Sequence, residues 1–297
     1  MADAALHLDE SLLDSIQDLP LIARHLVNGF LQGQHRSALR GVSQEFMAYR
    51  PYLPGDALKD VDWNVWARSD HYFIRQFRHE SNFRGYLLLD ASKSMDFGQG
   101  TQNKFTYGRL LAACLASLML AQMDAPGLAV LGLEEGVRWL PPSTRADHLD
   151  LLFHQLGTTR AEGKTAGLGD ISAVTEDCRR RSLAVWITDG FFDPEEGRNL
   201  LHQFRLRDMD VLVFHLLHRE EMDPPFEGEV LLTDSETGEE MIVNGEQLRR
   251  DYAPRLAAFL EETESLCTGL EAHYCRIVTD EPLDEALHRY LAVREQL

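Results

Sequence analysis

The sequence lacks the features that mark secreted and membrane-spanning proteins. Its four cysteines form no Cys-x-x-Cys pair, so they indicate reduced, buried thiols rather than a disulfide or zinc framework. The longest uncharged run, residues 110–123, is 14 residues long, whereas a transmembrane helix needs about 20. The N-terminus is acidic where a signal peptide requires positive charge. We therefore expect a cytoplasmic protein with no membrane span.

Basic residues are also scarce. The chain has 29 Lys and Arg against 48 Asp and Glu, which gives a formal net charge of −19 at pH 7. This charge repels nucleic-acid backbones and anionic lipid headgroups, so it argues against both as general partners. The hydrophobic fraction of 44% and the charged fraction of 26% are typical of a globular protein. The 297 residues can bury a large core.

Two common catalytic motifs are absent from the sequence. A serine hydrolase needs Gly-x-Ser-x-Gly, but Ser92 has alanine and lysine as neighbours. A phosphate-binding loop has four residues between its glycines and follows a strand directly, whereas Gly157 and Gly163 have five residues between them and follow a predicted helix. His215 and His218 lie three apart on a predicted strand, so their rings point to opposite faces and predict no metal pair.

Strand-like and helix-like segments alternate along the greater part of the chain. The apolar runs Tyr86–Leu89 and Leu183–Thr188 show no polar alternation, which is typical of strands buried on both faces. An amphipathic helix is predicted between them, at residues 104–123. This alternation predicts an α/β fold with a doubly wound, mostly parallel sheet.

The first 83 residues differ in character from the remainder. Residues 49–56 read as a loop, and Tyr72–Phe77 alternates like a strand. We therefore predict N-terminal helices and a small β-rich lead-in at residues 1–83, and a main domain at 84–297 with a hairpin insertion around 226–244. Four aromatic residues of the lead-in are predicted to pack in a core, with a docking surface as the alternative: Trp63, Trp66, Tyr72 and Phe73.

Oxygen-bearing side chains follow the two apolar strands. Carboxyl ends of parallel strands meet at one edge of a sheet, and at the point where winding reverses they face one crevice. A carboxylate with hydroxyls suits Mg²⁺, which uses few protein ligands and keeps several waters. The alternative is ordinary turn chemistry, in which Asp and Ser bond local amides. Five donors from three loops form the candidate metal site, with Thr159 as a substitute for the threonine: Asp90, Ser92, Ser94, Thr165 and Asp189.

This set resembles the metal-ion-dependent adhesion site of von Willebrand factor A domains, in Asp-Ala-Ser-Lys-Ser at 90–94, Thr165 and Thr-Asp-Gly at 188–190. The chain is more closely similar to one bacterial branch, domain-of-unknown-function family 58. The further matching segments are Arg50-Pro-Tyr-Leu-Pro-Gly-Asp56, Asp62-Trp63, Ala67-Arg68 and Asp234-Ser-Glu-Thr-Gly238. The resemblance spans residues 36–295, and departs from the usual pattern at Lys59, Lys164 and Ala166.

The resemblance implies a role for each donor. Ser92, Ser94 and Thr165 would touch the metal directly, while Asp90 and Asp189 would act directly or through water. The metal would be Mg²⁺, or else Mn²⁺ or Ca²⁺. Because neutral hydroxyls leave the ion under-neutralised, an Asp or Glu of a protein partner can complete its coordination. The implied function is a non-enzymatic, metal-dependent interaction module, an adaptor for a MoxR-type AAA+ ATPase or its client.

Two other functions remain open at this point. A Mg²⁺-dependent phosphatase-like hydrolase could use Asp90 beside the ion. The haloacid-dehalogenase pattern would, however, place a second carboxylate where Ser92 stands. The remaining alternative is a scaffold whose site holds no metal.

Overall fold

A computed structural model gives the fold of the protein. It describes residues 19–34, 45–51, 65–66, 72–78, 83–145, 147–162, 171–179, 182–225, 228–233 and 240–296. The chain divides into two compact units, residues 31–82 and residues 1–30 together with 83–297.

The unit of residues 31–82 contains a two-stranded antiparallel ladder. Strand β1 is Glu45–Pro51 and strand β2 is Phe73–Arg78. The predicted strand is confirmed, but the predicted loop is wrong for Tyr49–Pro51, which belong to β1. Trp66 and Tyr72 stack with ring centroids 6.0 Å apart and are 36% and 48% exposed, so core packing is wrong for these two. The other motif residues at 52–64 and 67–71 lie outside the described residues.

The larger unit is built on a six-stranded sheet with helices before, between and after its strands. The sheet strands are β3 Arg84–Asp90, β4 Ala125–Leu131, β5 Arg138–Leu140, β6 Leu183–Thr188, β7 Asp210–Leu217 and β10 His273–Val278. A separate hairpin consists of β8 Glu229–Thr233 and β9 Glu240–Asn244. The helices are α1 Leu19–Gln34, α2 Lys104–Ala121, α3 His148–Thr158, α4 Ser172–Asp177, α5 Pro194–Arg205, α6 Arg219–Met222, α7 Gly245–Gly269 and α8 Leu283–Arg294.

The strand order is β10-β7-β6-β3-β4-β5. All neighbouring pairs are parallel except β4 with β5, which is antiparallel. The chain leaves β3 to build β4 on one side and later returns to build β6 on the other side, so the winding reverses at β3. The predicted doubly wound, mostly parallel sheet is confirmed, and the switch point lies between β3 and β6.

Burial on both faces explains the apolar strands. On one face Leu88 and Trp186 pack in a cluster with Leu201 and Phe204 of α5. On the other face Gly108 lets α2 lie close to the sheet, because a β-carbon there would lie 3.2 Å from the Leu89 side chain. Since neither face is solvated, these strands need no polar alternation.

Helix α2 is the central helix of the second face. Among the described helices it alone is long and apolar enough to cross a membrane, with a mean hydropathy of 1.2, and 83% of it is buried within the fold. That degree of burial is typical of a core helix. Composition by itself does not distinguish a core helix from a membrane helix, because a globular core and a bilayer both favour apolar side chains.

The remaining helices and strands are of the type that the sequence predicts, but their bounds differ from the predicted ones. The predicted hairpin is confirmed as β8 and β9, although its tip at 234–239 lies outside the described residues. The sequence pattern at 170–181 predicts a helix, and the helix of the structure is shorter, Ser172–Asp177. The four-residue helix α6 was not predicted, because one turn carries too few residues to show a period.

Candidate metal centre

Asp90 ends β3 at the switch point and is 3% exposed. Its Oδ1 accepts a 2.9 Å hydrogen bond from the Ser92 backbone amide, and its Oδ2 accepts a 2.8 Å bond from the Thr188 hydroxyl. The second bond crosses from β6 to β3, which the parallel register brings side by side. The carboxylate is therefore held from both strands of the switch point.

The hydroxyls of Ser92 and Ser94 lie beside this strand end. Their Oγ atoms are 3.1 Å apart, and a short 3₁₀ helix, Lys93–Met95, holds them there. Adjacent ligands of an octahedral Mg²⁺ at about 2.1 Å are about 3.0 Å apart. The spacing of the two hydroxyls thus fits two neighbouring positions of such an ion.

The carboxylate of Asp90 has no cationic partner within the described residues. No Lys, Arg or His side chain pairs with it in the part of the chain that the structure describes. Burial, and then the negative charge of Asp189, raise the pKa of Asp90 to about 6 from an ordinary 3.8. A buried anion without a counter-ion is costly, and a cation bound beside Asp90 would lower that cost.

Asp189 follows β6 directly and emerges at the same edge of the sheet. It is fully buried, but its surroundings differ from those of Asp90. Its Oδ1 accepts a 3.2 Å bond from the Phe191 amide, and its Oδ2 lies 2.8 Å from Lys104 Nζ. The charge of this second carboxylate is therefore paired within the protein.

Lys104 begins α2 and is 0% exposed. Its ammonium also lies 2.6 Å from Glu221 Oε1. Burial by itself lowers the pKa of Lys104, but Asp189 and Glu221 raise it by more, so the group stays charged. The rings of Phe97 and Phe191 flank the ammonium, with centroids 5.7 and 5.6 Å away.

The threonine of the predicted site, Thr165, lies outside the described residues. The substitute, Thr159, is buried at the end of α3. Its hydroxyl donates a 2.7 Å bond to the Gln155 carbonyl and accepts a 3.2 Å bond from Arg138. Those bonds give Thr159 a structural role at the helix end, so it is not a good ligand.

The two histidines also have structural partners. His215 is fully buried with Nδ1 2.7 Å from the Tyr274 hydroxyl, and burial lowers its pKa to about 4. His218 caps α6, where its Nδ1 accepts a 3.2 Å bond from the Glu220 amide. Among the described residues no three His, Cys, Asp or Glu side chains cluster as a metal site. An ion beside Asp90 would therefore take its other ligands from hydroxyls and water.

Sequence reasoning missed three residues that shape the site. Thr188 bonds Asp90, Lys104 pairs with Asp189, and Gly132 lies against Asp90 with φ +74°. A β-carbon at Gly132 would lie 3.3 Å from Asp90 Oδ1. One signal was present for Lys104, because a lysine at the N-terminus of a helix opposes the helix dipole. Nothing in the sequence marks the contact of Gly132.

A model of the family described as "Protein of unknown function DUF58" matches residues 48–261, which is more than two thirds of the chain. The uncharacterized protein Rv1480 of Mycobacterium tuberculosis is 27% identical over 294 residues, covering 97% of this chain and 91% of that protein. The uncharacterized protein Mb1516 of Mycobacterium bovis shows the same identity and coverage.

Two solved structures are similar in fold. The conserved hypothetical protein BatB from Bacteroides thetaiotaomicron is 14% identical with a TM-score of 0.45, covering 72% of this chain and 100% of that one. The SpRpn10 VWA domain is 11% identical with a TM-score of 0.38, covering 70% and 94%. The fold class stated above rests on the strand order of the chain itself.

Proposed function

Because the chain belongs to the DUF58 family, as its motifs predicted, and ends two adjacent strands in carboxylates, we propose that it is a metal-dependent protein-interaction module. One observation carries the proposal. Asp90 is a buried carboxylate with no cationic partner in the part of the chain that the structure describes, and it lies beside two hydroxyls that are 3.1 Å apart. Asp90, Ser92 and Ser94 would hold Mg²⁺, or Mn²⁺ or Ca²⁺, with Thr165 and Asp189 as further donors.

The residues of the site define what such an ion could do. When bound, Mg²⁺ supplies a Lewis-acidic position that an external oxygen ligand can fill. Ser92 and Ser94 contribute no charge, and the charge of Asp189 is already paired with Lys104. Asp90 would then be the one anion facing the ion within the described part of the site. We therefore infer that the partner presents an Asp or Glu carboxylate.

Binding without turnover is the function that we favour. The two oxygens of Asp90 are occupied by hydrogen bonds from Ser92 and Thr188, which fixes the carboxylate and leaves it poorly placed as a nucleophile. No observation specifically favours the phosphatase-like alternative. Hydrolysis of a generic phosphate ester by the purified protein, lost in Asp90→Asn, would revive it.

Thermal unfolding with added MgCl₂ tests the metal site. We expect the wild-type melting temperature to rise, since a ligand at about 100 times its Kd stabilises the folded state by about 2.7 kcal/mol. Asp90→Ala should abolish the rise. Asp96→Ala is the matched control, because it removes a carboxylate from the same loop that is exposed and paired with Lys93. Equal responses of wild type and Asp90→Ala would rule out this site.

The partner class that we propose is a MoxR-type AAA+ ATPase or its client, for which the chain would act as an adaptor. Chelation is a poor test, since the ATPase itself needs Mg²⁺ for nucleotide. Binding of a purified MoxR-type ATPase should instead be measured at constant Mg²⁺ with wild type, Asp90→Ala and Asp96→Ala. Loss in Asp90→Ala alone supports the assignment, and equal binding by all three would exclude the metal site from this contact.

A further inference from the structure

A buried lysine stands beside one carboxylate of the candidate centre and not beside the other. Lys104 Nζ lies 2.8 Å from Asp189 Oδ2 and 2.6 Å from Glu221 Oε1. Lysine is almost never fully buried unless its charge is paired. The pairing with Asp189 is therefore specified by the fold, and its effect on the metal affinity of the site goes beyond the proposed function.

We propose that Lys104 is an internal counter-cation, whose ammonium neutralises the Asp189 carboxylate in place of a metal ion. It thereby keeps Asp189 from binding the ion directly, leaves it to act through water, and weakens the intrinsic metal affinity. The inference rests on the proposed function for the ion at Asp90. The pairing of Lys104 with Asp189 stands without it.

The hydrogen bonds of Asp189 support this role. Asp189 Oδ2 faces the Lys104 ammonium, so an ion approaching this oxygen would have to displace a paired cation. The hydrogen bonds to Asp90, by contrast, come from the neutral donors Ser92 and Thr188. A nearby ammonium also repels a divalent cation directly. Both effects lower the affinity for the ion. Both also mean that the protein ligands around a bound ion neutralise less of its positive charge. An ion in that state attracts an external carboxylate more strongly.

The surroundings of Lys104 hold it in this position. Phe97 comes from the loop after β3, Phe191 from the loop after β6, and Glu221 from α6 after β7. Glu221 is itself fixed, because its Oε2 accepts a 2.7 Å bond from the His218 amide. Two loops and helix α6, which all follow strands at the carboxyl edge of the sheet, therefore contact one ammonium. These contacts hold the ammonium beside Asp189.

Stability alone does not explain a lysine here. A cation at the first residue of a helix opposes the helix dipole. Buried ion pairs can often be replaced by apolar side chains without loss of stability. A role in setting the charge of the neighbouring site accounts for both features of Lys104.

Calorimetric titration of metal-free Lys104→Met with MgCl₂ tests the inference. We expect Mg²⁺ to bind about tenfold or more tightly than to wild type, because outer-shell substitutions change metal affinity by about 10- to 100-fold and this one removes a repelling charge. The variant loses the repelling charge and frees Asp189 for the ion. Arg294→Met is the matched control, since Arg294 pairs at 3.2 Å with buried Asp124, which precedes β4 at the opposite edge of the sheet. Its Mg²⁺ affinity should equal that of wild type.

The outcomes separate this inference from the proposed function. If wild type binds Mg²⁺ and Lys104→Met binds it no more tightly, the counter-cation role is wrong and the metal site stands. If Lys104→Met binds Mg²⁺ and wild type does not, Lys104 is the counter-cation and the wild-type metal site is wrong. If neither binds, both ideas fail.

A second variant covers the case in which Lys104→Met does not fold. Lys104→Met combined with Asp189→Asn removes the charge together with its partner. Recovery of a cooperative melting transition in this double variant supports pairing between the two residues. Failure to recover it, in a preparation where Arg294→Met folds, would overturn the inference.

Discussion

Asp90 and Asp189 both lie at the end of a buried parallel strand, yet the two carboxylates differ in whether a cationic side chain pairs with them. Asp189 is paired with Lys104, whereas among the described residues Asp90 has hydrogen bonds from the neutral donors Ser92 and Thr188 and no ion pair. The difference shows that strand position determines where a carboxylate emerges, while residues from other elements determine its charge. Identical substitutions at the two strand ends should therefore have different consequences.

The largest effect is expected for Asp189→Asn in metal-free protein. The amide removes one partner of a fully buried ammonium and leaves Lys104 with Glu221 as its remaining carboxylate among the described residues. Breaking a buried pair from one side should lower the free energy of unfolding by about 3 kcal/mol. Chemical denaturation in chelator measures this loss. A loss within error of zero would mean that Lys104 does not depend on Asp189.

The same substitution at the other strand end should have the opposite sign. A pKa raised from 3.8 to about 6 corresponds to about 3 kcal/mol of destabilisation of the ionised form. Asp90→Asn removes that charge but weakens a hydrogen bond, so we expect metal-free stability to rise by about 2 kcal/mol at about pH 8. Denaturation in chelator again gives the value. Equal losses at both positions would contradict the comparison.

The stabilisation by Asp90→Asn should depend on pH. Between pH 3.8 and about 6 the folded state holds a proton on Asp90 that the unfolded state has released. Falling pH therefore favours folding at this residue, and the penalty present above about pH 6 disappears towards about pH 4. The difference in stability between Asp90→Asn and wild type, measured in chelator, should shrink over that range. A difference independent of pH would show that Asp90 is not the titrating group.

The sequence was informative about the strands and their ends. The apolar runs around Leu88 and Trp186 predicted buried parallel strands, and the position of Asp90 and Asp189 at one edge followed from the rule for switch points. These features depend on local pattern and on topology. Both are properties that a single sequence expresses directly.

The charge environment could not be read in the same way. Lys104 and Asp189 are 85 residues apart, and Lys104 and Glu221 are 117 apart. Such contacts depend on how segments that are distant in sequence pack together, and the hydrophobic periodicity of a sequence carries no information about this packing. The helix start at Lys104 was predicted, and the side chain was overlooked because lysine is ordinarily exposed.

The smallest expected effect is that of a substitution at Gly132, which lies against Ser92 and Asp90 and so concerns the Asp90 strand end. Gly132 and Gly136 both have positive φ, +74° and +94°. A β-carbon at Gly132 would lie 3.2 Å from the Ser92 amide and 3.3 Å from Asp90 Oδ1, while one at Gly136 would meet nothing within 4 Å. Each Gly→Ala substitution should lower stability by about 1 kcal/mol through backbone strain.

Gly132→Ala should differ from Gly136→Ala in its response to the metal. Crowding at Ser92 and Asp90 shifts the donors that the ion would use, so we expect weaker Mg²⁺ stabilisation in Gly132→Ala and an unchanged response in Gly136→Ala. Melting curves with and without MgCl₂ measure both. Because the backbone cost is shared, a difference in metal response isolates the contact with the Asp90 loop. Equal responses would instead place the ion away from Asp90 and Ser92, and so remove the contrast between the two strand ends.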